Sequence, residues 1–482
     1  MHERNLTLLT DFYQLTMMQG YFENKRNDTV VFDLFYRKNP SGSGYAICCG
    51  LAQIIDYMKN LKFTDADIEY LRSLNMFHKD FLSYLAEFHF TGSIYAIPEG
   101  TVVFPMEPLV KVIAPVMEAQ LIETALLNMI NHQSLIATKA SRVCFAAKGE
   151  PVLELGLRRA QGPDAGIYGA RAAIIGGCIG TSNVLAAKNF KIPVFGTHAH
   201  SWIMSFDDES TAFRTFASLY PQSAILLVDT YDTLRSGLPN AIQIFKELRD
   251  AGKLSKKYGI RLDSGDLAYL SKKSRQMLDD AGFRDATICA SSDLDEYLID
   301  SLKAQGARIN SWGVGTNLIT SKDCPSFGGV YKLAAIKSND TFLPKIKLSE
   351  NQVKITNPGD KTVYRIYDNQ TRKIKADLIA LSDEIYSNDM PLTLFDPLST
   401  WKKTYLKANT YSIRELLVPI FVDGVCVYHS PDTMSIRSYC QRELDTLWDE
   451  TRRLVNPHNV YIDLSEKLYE MKHHLLCSVN QR

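Results

Sequence analysis

Two histidines one residue apart sit in IPVFGTHAHSW, residues 192–202, behind a short apolar run that ends in Gly196-Thr197. Alternation along an extended strand puts His198 and His200 on one face, with Thr197 and Ser201 beside them. A strand end that presents imidazole, hydroxyl and turn amides together is where α/β enzymes do chemistry. Three chemistries suit such a pair: metal ligation, proton transfer and phosphoryl acceptance. A metal hydrolase needs further ligands from later strands. The next histidine after His200 is His429, far down the chain, so the metal reading lacks its partners.

Three further segments carry groups suited to anions. In GLRRAQGPDAGIYGARAA, residues 156–173, Arg158 and Arg159 follow a strand, and Arg171 is expected to open a helix after a loop of small residues. Guanidinium groups so placed can grip phosphate or carboxylate through paired hydrogen bonds. In GIRLDSGDL, residues 259–267, Arg261 and Asp263 share a strand face; they either pair with each other, or Arg261 meets an anion while Asp263 binds sugar hydroxyls or a metal-bound ligand. Asp229 in LLVDTYDT ends a comparable strand, and Ser264-Gly265-Asp266 resembles a helix N-cap. In SWGVGT, residues 311–316, Gly313, Gly315 and Thr316 could cradle a phosphate with backbone N–H groups and a hydroxyl. The chain has neither GxGxxG nor GxxxxGK[ST], so no Rossmann or P-loop nucleotide site is expected.

The elements that would position these groups differ along the chain. Up to about residue 145, helical patterns mix with short strands. Thr10-Asp11 with Gln14 reads as a helix start, which makes Tyr13 a helix-packing residue on periodicity alone. LIETALLNMINHQSLIATKASRVCFAA reads as one long helix. From Pro151 to Ile336 apolar segments alternate with helical ones: PVLELGL, AIIGGCIG, IPVFGT, AILLVDT, GIRLDSG, ATICASSD, INSWGVGT and VYKLAAI. Strands alternating with helices imply parallel pairing with right-handed crossovers, and about eight such units suit an α/β barrel. Polar residues after nearly every strand would gather on its C-terminal face. Beyond about residue 340 the chain turns strand-like and polar. Lys354, Thr356 and Asn357-Pro358-Gly359 read as a hairpin and its turn, and SIRSYCQRELDTLWDETRRLV as the final helix.

Composition sets the outer bounds. The 482 residues suffice for more than one domain, and 45% hydrophobic with 22% charged residues is ordinary for a folded globular chain. Lys plus Arg and Asp plus Glu both total 54, so no global field favours nucleic acid or an anionic membrane. Any anionic ligand must be held by local clusters. The nine scattered cysteines form no CxxC pair, which points to reduced thiols in the cytoplasm. No apolar run reaches membrane-spanning length, and the N-terminal residues do not read as a signal peptide.

Taken in order, LLTDFYQLTMMQGYF, GLRRAQGPDAG, GGCIGTSNVLAAK, PVFGTHAHSWIMSF, LLVDTYDT, IRLDSGDL, WGVGTNL and FGGVYKL resemble the nicotinate phosphoribosyltransferases, from about residue 7 to 335. The resemblance implies an irregular (β/α) barrel over residues 146–340. It implies a second, sandwich-like α+β domain built from an N-terminal region, 1–145, and a C-terminal region, 341–482. It also implies a homodimer with shared active sites. The reaction it implies joins nicotinate to 5-phosphoribosyl 1-diphosphate, coupled to ATP hydrolysis with Mg2+. On the same basis His200 is the histidine that ATP phosphorylates, and Tyr13, Thr197 and Arg261 contact nicotinate. Thr316 with Gly315 meets phosphoribosyl diphosphate, and Arg158 and Asp263 are added for its phosphate and ribose. His198 is left without a role, and the residues that bind ATP and metal are left unassigned. Two alternatives stand: the same fold using nicotinamide or quinolinate, and a barrel that binds ligand without turnover.

Overall fold

The computed structural model describes residues 5–351, 354–397, 399 and 401–479. Its contacts divide the chain into two units. One joins the two chain ends, Met1–Leu135 with Ser326–Arg482, and the other is Ile136–Pro325.

The second unit is a curled half-barrel of parallel strands. Its strands are β1 (Val152–Glu154), β2 (Gly180–Thr181), β3 (Ala224–Leu227), β4 (Tyr258–Leu262), β5 (Thr287–Ala290) and β6 (Ser311–Val314). They run in the order β2-β1-β6-β5-β4-β3, every pair parallel. Their residues are buried or half-buried throughout, as in parallel sheets generally. Polar side chains start the covering helices. Asn183, Asp208, Asp266 and Asp295 each accept a backbone N–H three residues on, which supplies one of the acceptors a helix N-terminus lacks. Asp266 is therefore the cap its sequence suggests.

Three expectations for this unit need correction. AIIGGCIG, residues 173–180, is no strand over most of its length: Ala173, Ile174 and Ile175 end the helix Pro163–Ile175, and only Gly180 enters β2. IPVFGT forms no regular strand: it touches the sheet through one parallel bridge, Val194 to Thr181 on β2. VYKLAAI is not a barrel strand. It lies in the strand Gly329–Ser338, which pairs antiparallel with Thr29–Tyr36 in the other unit. Continuous apolar runs of this length read alike in both settings, so periodicity could not separate them.

The first unit holds two larger sheets. A seven-stranded antiparallel sheet interleaves both chain ends: Thr29–Tyr36 lies between Val110–Pro115 and Gly329–Ser338, and Ser93–Ala96 pairs with Val418–Val422. A six-stranded sheet is built wholly from residues after 360, with one parallel pair, Ile374–Leu381 against Tyr461–Leu464. Arg365 is fully buried there, its guanidinium held by Asp377 and Glu443. The helix Phe12–Glu23 begins where Asp11 was expected to start it, and the long helix spans Glu123–Ala146.

The turn expected at 354–359 joins no hairpin. The strand before it, Thr341–Pro344, pairs only with Gly329–Ser338, while Lys361–Asp368 pairs with Ile374–Leu381 and Tyr411–Glu415. The expected last helix breaks into Thr433–Asp445 and Asp449–Arg452, and another, Glu466–Val479, follows. No helix among the described residues is long and apolar enough to cross a membrane.

Candidate active site

Parallel pairing brings the C-terminal ends of β1, β3, β4, β5 and β6 to one face of the half-barrel. The residues there are small and polar for a reason. Gly315, after β6, stands so close to β1 that an added Cβ would come 3.3 Å from the carbonyl of Leu155. Thr316 follows it at the start of a single helical turn, Thr316–Ile319. Arg158 and Arg159 lie exposed in the turn after β1, and neither has an ion-pair partner among the described residues. Arg171 does not open a helix. It sits in the middle of the helix Pro163–Ile175, buried, with its guanidinium 5.7 Å from the centre of the Phe190 ring.

The ends of β3, β4 and β5 form one hydrogen-bonded cluster. Asp229 is its hub, with a side chain only 2% exposed. One carboxylate oxygen lies 3.2 Å from His200 Nε2. The other accepts the backbone N–H of Asp263 at 2.8 Å and the Ser264 hydroxyl at 2.6 Å. An acceptor-only carboxylate requires Nε2 to carry the ring proton, so the neutral imidazole keeps its lone pair on Nδ1. Beside it, Arg261 donates from Nε to Ser291 Oγ at 2.8 Å, from one terminal nitrogen to Thr197 Oγ1 at 3.3 Å, and from the other to Asp263 at 2.7 Å. Ser291 also donates to the same Asp263 oxygen. Burial works to raise the Asp263 carboxyl, but the Ser291 hydroxyl and the Arg261 guanidinium outweigh it and hold the group below the usual carboxylate range.

The histidine pair is split between two environments. His200 is the first residue of the helix His200–Met204, and its side chain is 40% exposed. His198 is 6% exposed, with its ring edge-on to Phe216 at 4.6 Å. Its Nε2 accepts the backbone N–H of Leu227 at 3.3 Å. Burial drives its pKa down to about 4, so the ring is neutral at ordinary pH. That contact gives the segment its structural meaning. Residues 194–200 touch β2 at one edge of the sheet through Val194 and β3 at the other edge through His198 and His200. They close the curl in place of a regular strand. The expected shared strand face does not exist, because this segment spans a gap and is not part of a ladder.

The arrangement can hold a carboxylate at Arg261 and Thr197 and offer Nδ1 of His200 as a nucleophile. Among the described residues no three His, Cys, Asp or Glu are grouped to bind a metal. Tyr13 belongs to the first unit, on the helix Phe12–Glu23, and is 48% exposed where packing was expected. Proximity of Glu123 and Asp11, after a larger effect of burial, raises its phenol pKa.

Family models match three stretches of the chain: the nicotinate phosphoribosyltransferase (NAPRTase) N-terminal domain over residues 8–131, the NAPRTase family over 151–375, and the NAPRTase C-terminal domain over 360–472. The chain belongs to the nicotinate phosphoribosyltransferase family. A nicotinate phosphoribosyltransferase of Bacillus subtilis (strain 168) is 47% identical over 479 residues, covering 99% of this chain and 96% of that one. The crystal structure of human nicotinic acid phosphoribosyltransferase superposes with a TM-score of 0.85 at 28% identity, covering 97% of this chain and 99% of that one. A nicotinate-nucleotide pyrophosphorylase from Pyrococcus furiosus shares the fold, with a TM-score of 0.70 at 22% identity over 92% of this chain and 97% of that one.

For a member of the nicotinate phosphoribosyltransferase family, the cluster adds three residues that motif reading did not assign. Asp229 was visible only as a strand-end acid, Ser264 only as part of a cap, and Ser291 only within ATICASSD. Each is the first polar residue, or nearly so, after an apolar run, and that position was the available signal.

Proposed function

We propose that this chain is an ATP-coupled nicotinate phosphoribosyltransferase. The reaction forms nicotinate mononucleotide and diphosphate from nicotinate and 5-phosphoribosyl 1-diphosphate, as a first step of NAD synthesis in the cytoplasm. The observation that carries this reading is the His200–Asp229 pair beside Arg261, Thr197, Asp263 and Ser291 at the strand ends.

The nicotinate carboxylate meets Arg261 and Thr197, and Tyr13 is supplied across a homodimer. The pyridine nitrogen has a free lone pair, so no general base is needed. It attacks C1 of the ribose as the C–O bond to diphosphate breaks. Asp263 accepts ribose hydroxyls, while Thr316, Gly315 and Arg158 receive phosphate oxygens. Holding these groups in line and countering the developing charge supplies the catalysis.

In the ATP-coupled half, Nδ1 of His200 attacks the terminal phosphorus and ADP departs. The ring then carries a positive charge, its proton still on Nε2 and donated to Asp229, and that carboxylate faces the charge. Water later releases phosphate. Mg2+ would supply charge neutralisation on the polyphosphates. Both oxygens of Asp229 are already occupied by donors, and no protein cage of three ligands exists among the described residues. This suits a hard cation that arrives on substrate oxygens and keeps its waters.

Purified protein given labelled nicotinate, 5-phosphoribosyl 1-diphosphate and Mg2+, with and without ATP, tests the proposal. Labelled mononucleotide, more of it with ATP, is the expected result. Binding without turnover refutes the assignment. Preferential use of nicotinamide or quinolinate in competition refutes the choice of pyridine.

A further inference from the structure

The first unit holds a half-open cavity of about 660 Å³, well within the size range of small-molecule sites. Its walls are mostly apolar, with Phe104, Ile379 and Tyr461 among them, but two of its charged groups, Asp463 and Lys472, have no ion-pair partner among the described residues. Asp463, on the strand Tyr461–Leu464, is 3% exposed, and its carboxyl has no hydrogen-bond donor among the described residues. Asp396 lines the same wall and adds a second negative charge, with Lys402 at 3.8 Å and the Ser399 amide donating to it at 2.9 Å. Lys472, also on the wall, has no carboxylate within ion-pair distance among the described residues. Its Nζ donates to the Asn357 side chain at 2.8 Å. Arg37 adds a further cation whose buried Nε has no acceptor.

A buried carboxyl without donors costs about 1–3 kcal/mol, and more when charged. Packing alone does not explain why one cavity holds such a group and a lysine without a counter-ion. Both groups titrate accordingly. Burial, then Asp396, pushes Asp463 up to about 6, and burial, then Lys361, brings Lys472 down to about 8. Each still carries its charge near neutral pH, and an arriving opposite charge would stabilise that charged form.

We propose that this cavity binds a small zwitterion of the amino-acid type, its ammonium group on Asp463 and its carboxylate on Lys472. The pair of acids recognises a cation, the lysine with Asn357 recognises a carboxylate, and the apolar wall takes what lies between. A simple anion would leave Asp463 unanswered, and a simple amine would leave Lys472 so.

Calorimetric titration of the full chain with each of the twenty common amino acids tests this, without reference to the transferase assay. One or a few should bind saturably, one per chain. The N-acetyl derivative and the methyl ester of the best ligand, each lacking one charge, should bind at least tenfold more weakly. Asp463→Asn and Lys472→Gln should weaken the parent ligand by a similar factor. The derivatives keep the test decisive if either variant folds poorly. No saturable binding by any amino acid, as expected if a second copy of the chain fills the cavity, overturns the proposal. Derivatives that bind as well as the parent also overturn it.

Discussion

Replacing Asp229 by Asn changes one atom and no volume, and the structure dictates how the site must respond. The oxygen that accepts from the Asp263 amide and Ser264 has two donors at 2.8 and 2.6 Å, so the amide oxygen takes that place. The new NH2 then faces His200 Nε2, where the carboxylate oxygen had stood at 3.2 Å. A donor there forces the ring into the other tautomer, with its proton on Nδ1 and no lone pair for phosphorus. Losing one hydrogen bond to a charged group costs about 1.5–3 kcal/mol, or roughly 10- to 150-fold in phosphohistidine formation, and the wrong tautomer adds to that. Asp229 is not among the groups that hold the nicotinate carboxylate, so KM for nicotinate should move by less than about threefold. The assay is acid-labile label from [γ-32P]ATP in wild type and Asp229→Asn, with thermal melts to confirm folding. A folded variant that forms the adduct within threefold of the wild-type rate would refute the tautomer argument.

Other consequences can be measured directly. Ser291 fixes both Arg261 and Asp263, so Ser291→Ala should raise KM for nicotinate about tenfold while Ser291→Thr largely restores it; equal KM values in all three proteins count against that role. His198 is depressed to about 4 from 6.5, so the unfolded chain binds the extra proton and stability falls as pH drops through that window. Denaturant titrations should show a loss of about 2 kcal/mol between pH 7 and pH 5 that is absent in His198→Gln; an identical loss in the variant shows that other groups cause it. Co-expressed Tyr13→Ala and His200→Ala chains should recover about a quarter of wild-type activity if each site draws on two subunits, whereas no recovery in isolated heterodimers contradicts shared sites. Arg365→Met leaves Asp377 buried without its counter-ion, while Glu443 keeps Arg414, and should cost about 3–5 kcal/mol in stability; a melting point unchanged from wild type would show the ion pair to be dispensable.

Much of this was legible in the chain itself, for identifiable reasons. Apolar runs ending in a polar residue marked β3, β4, β5 and β6 and so delivered Arg261, Asp263 and Thr316 to one face. The long helix at 123–146 and the Asp266 cap follow from local rules that tertiary contacts did not override. Other features needed the fold. His198 looked like a partner of His200 because alternation assumes a strand, and a segment spanning two sheet edges obeys no such period. Tyr13 looked like packing because its helix is apolar on several sides, although its ring is half exposed. Arg171 followed small residues that read as a loop, yet Pro163 had already begun the helix. VYKLAAI could be assigned to the wrong sheet because pairing partners hundreds of residues away leave no mark on a local pattern.

Residues 194–200 stitch the two free edges of the half-barrel together with one backbone bridge and two imidazoles. A regular strand would have locked that seam with a ladder of amide bonds, indifferent to chemistry. Here the amide of Leu227 donates to a histidine ring, and in the proposed cycle the neighbouring ring takes up and releases charge. On that proposal the barrel's rigidity at its mouth would be tied to the covalent state of a side chain. Hydrogen exchange at Leu227, slow in one stage of turnover and faster in another, would register the cycle from the protein's own backbone.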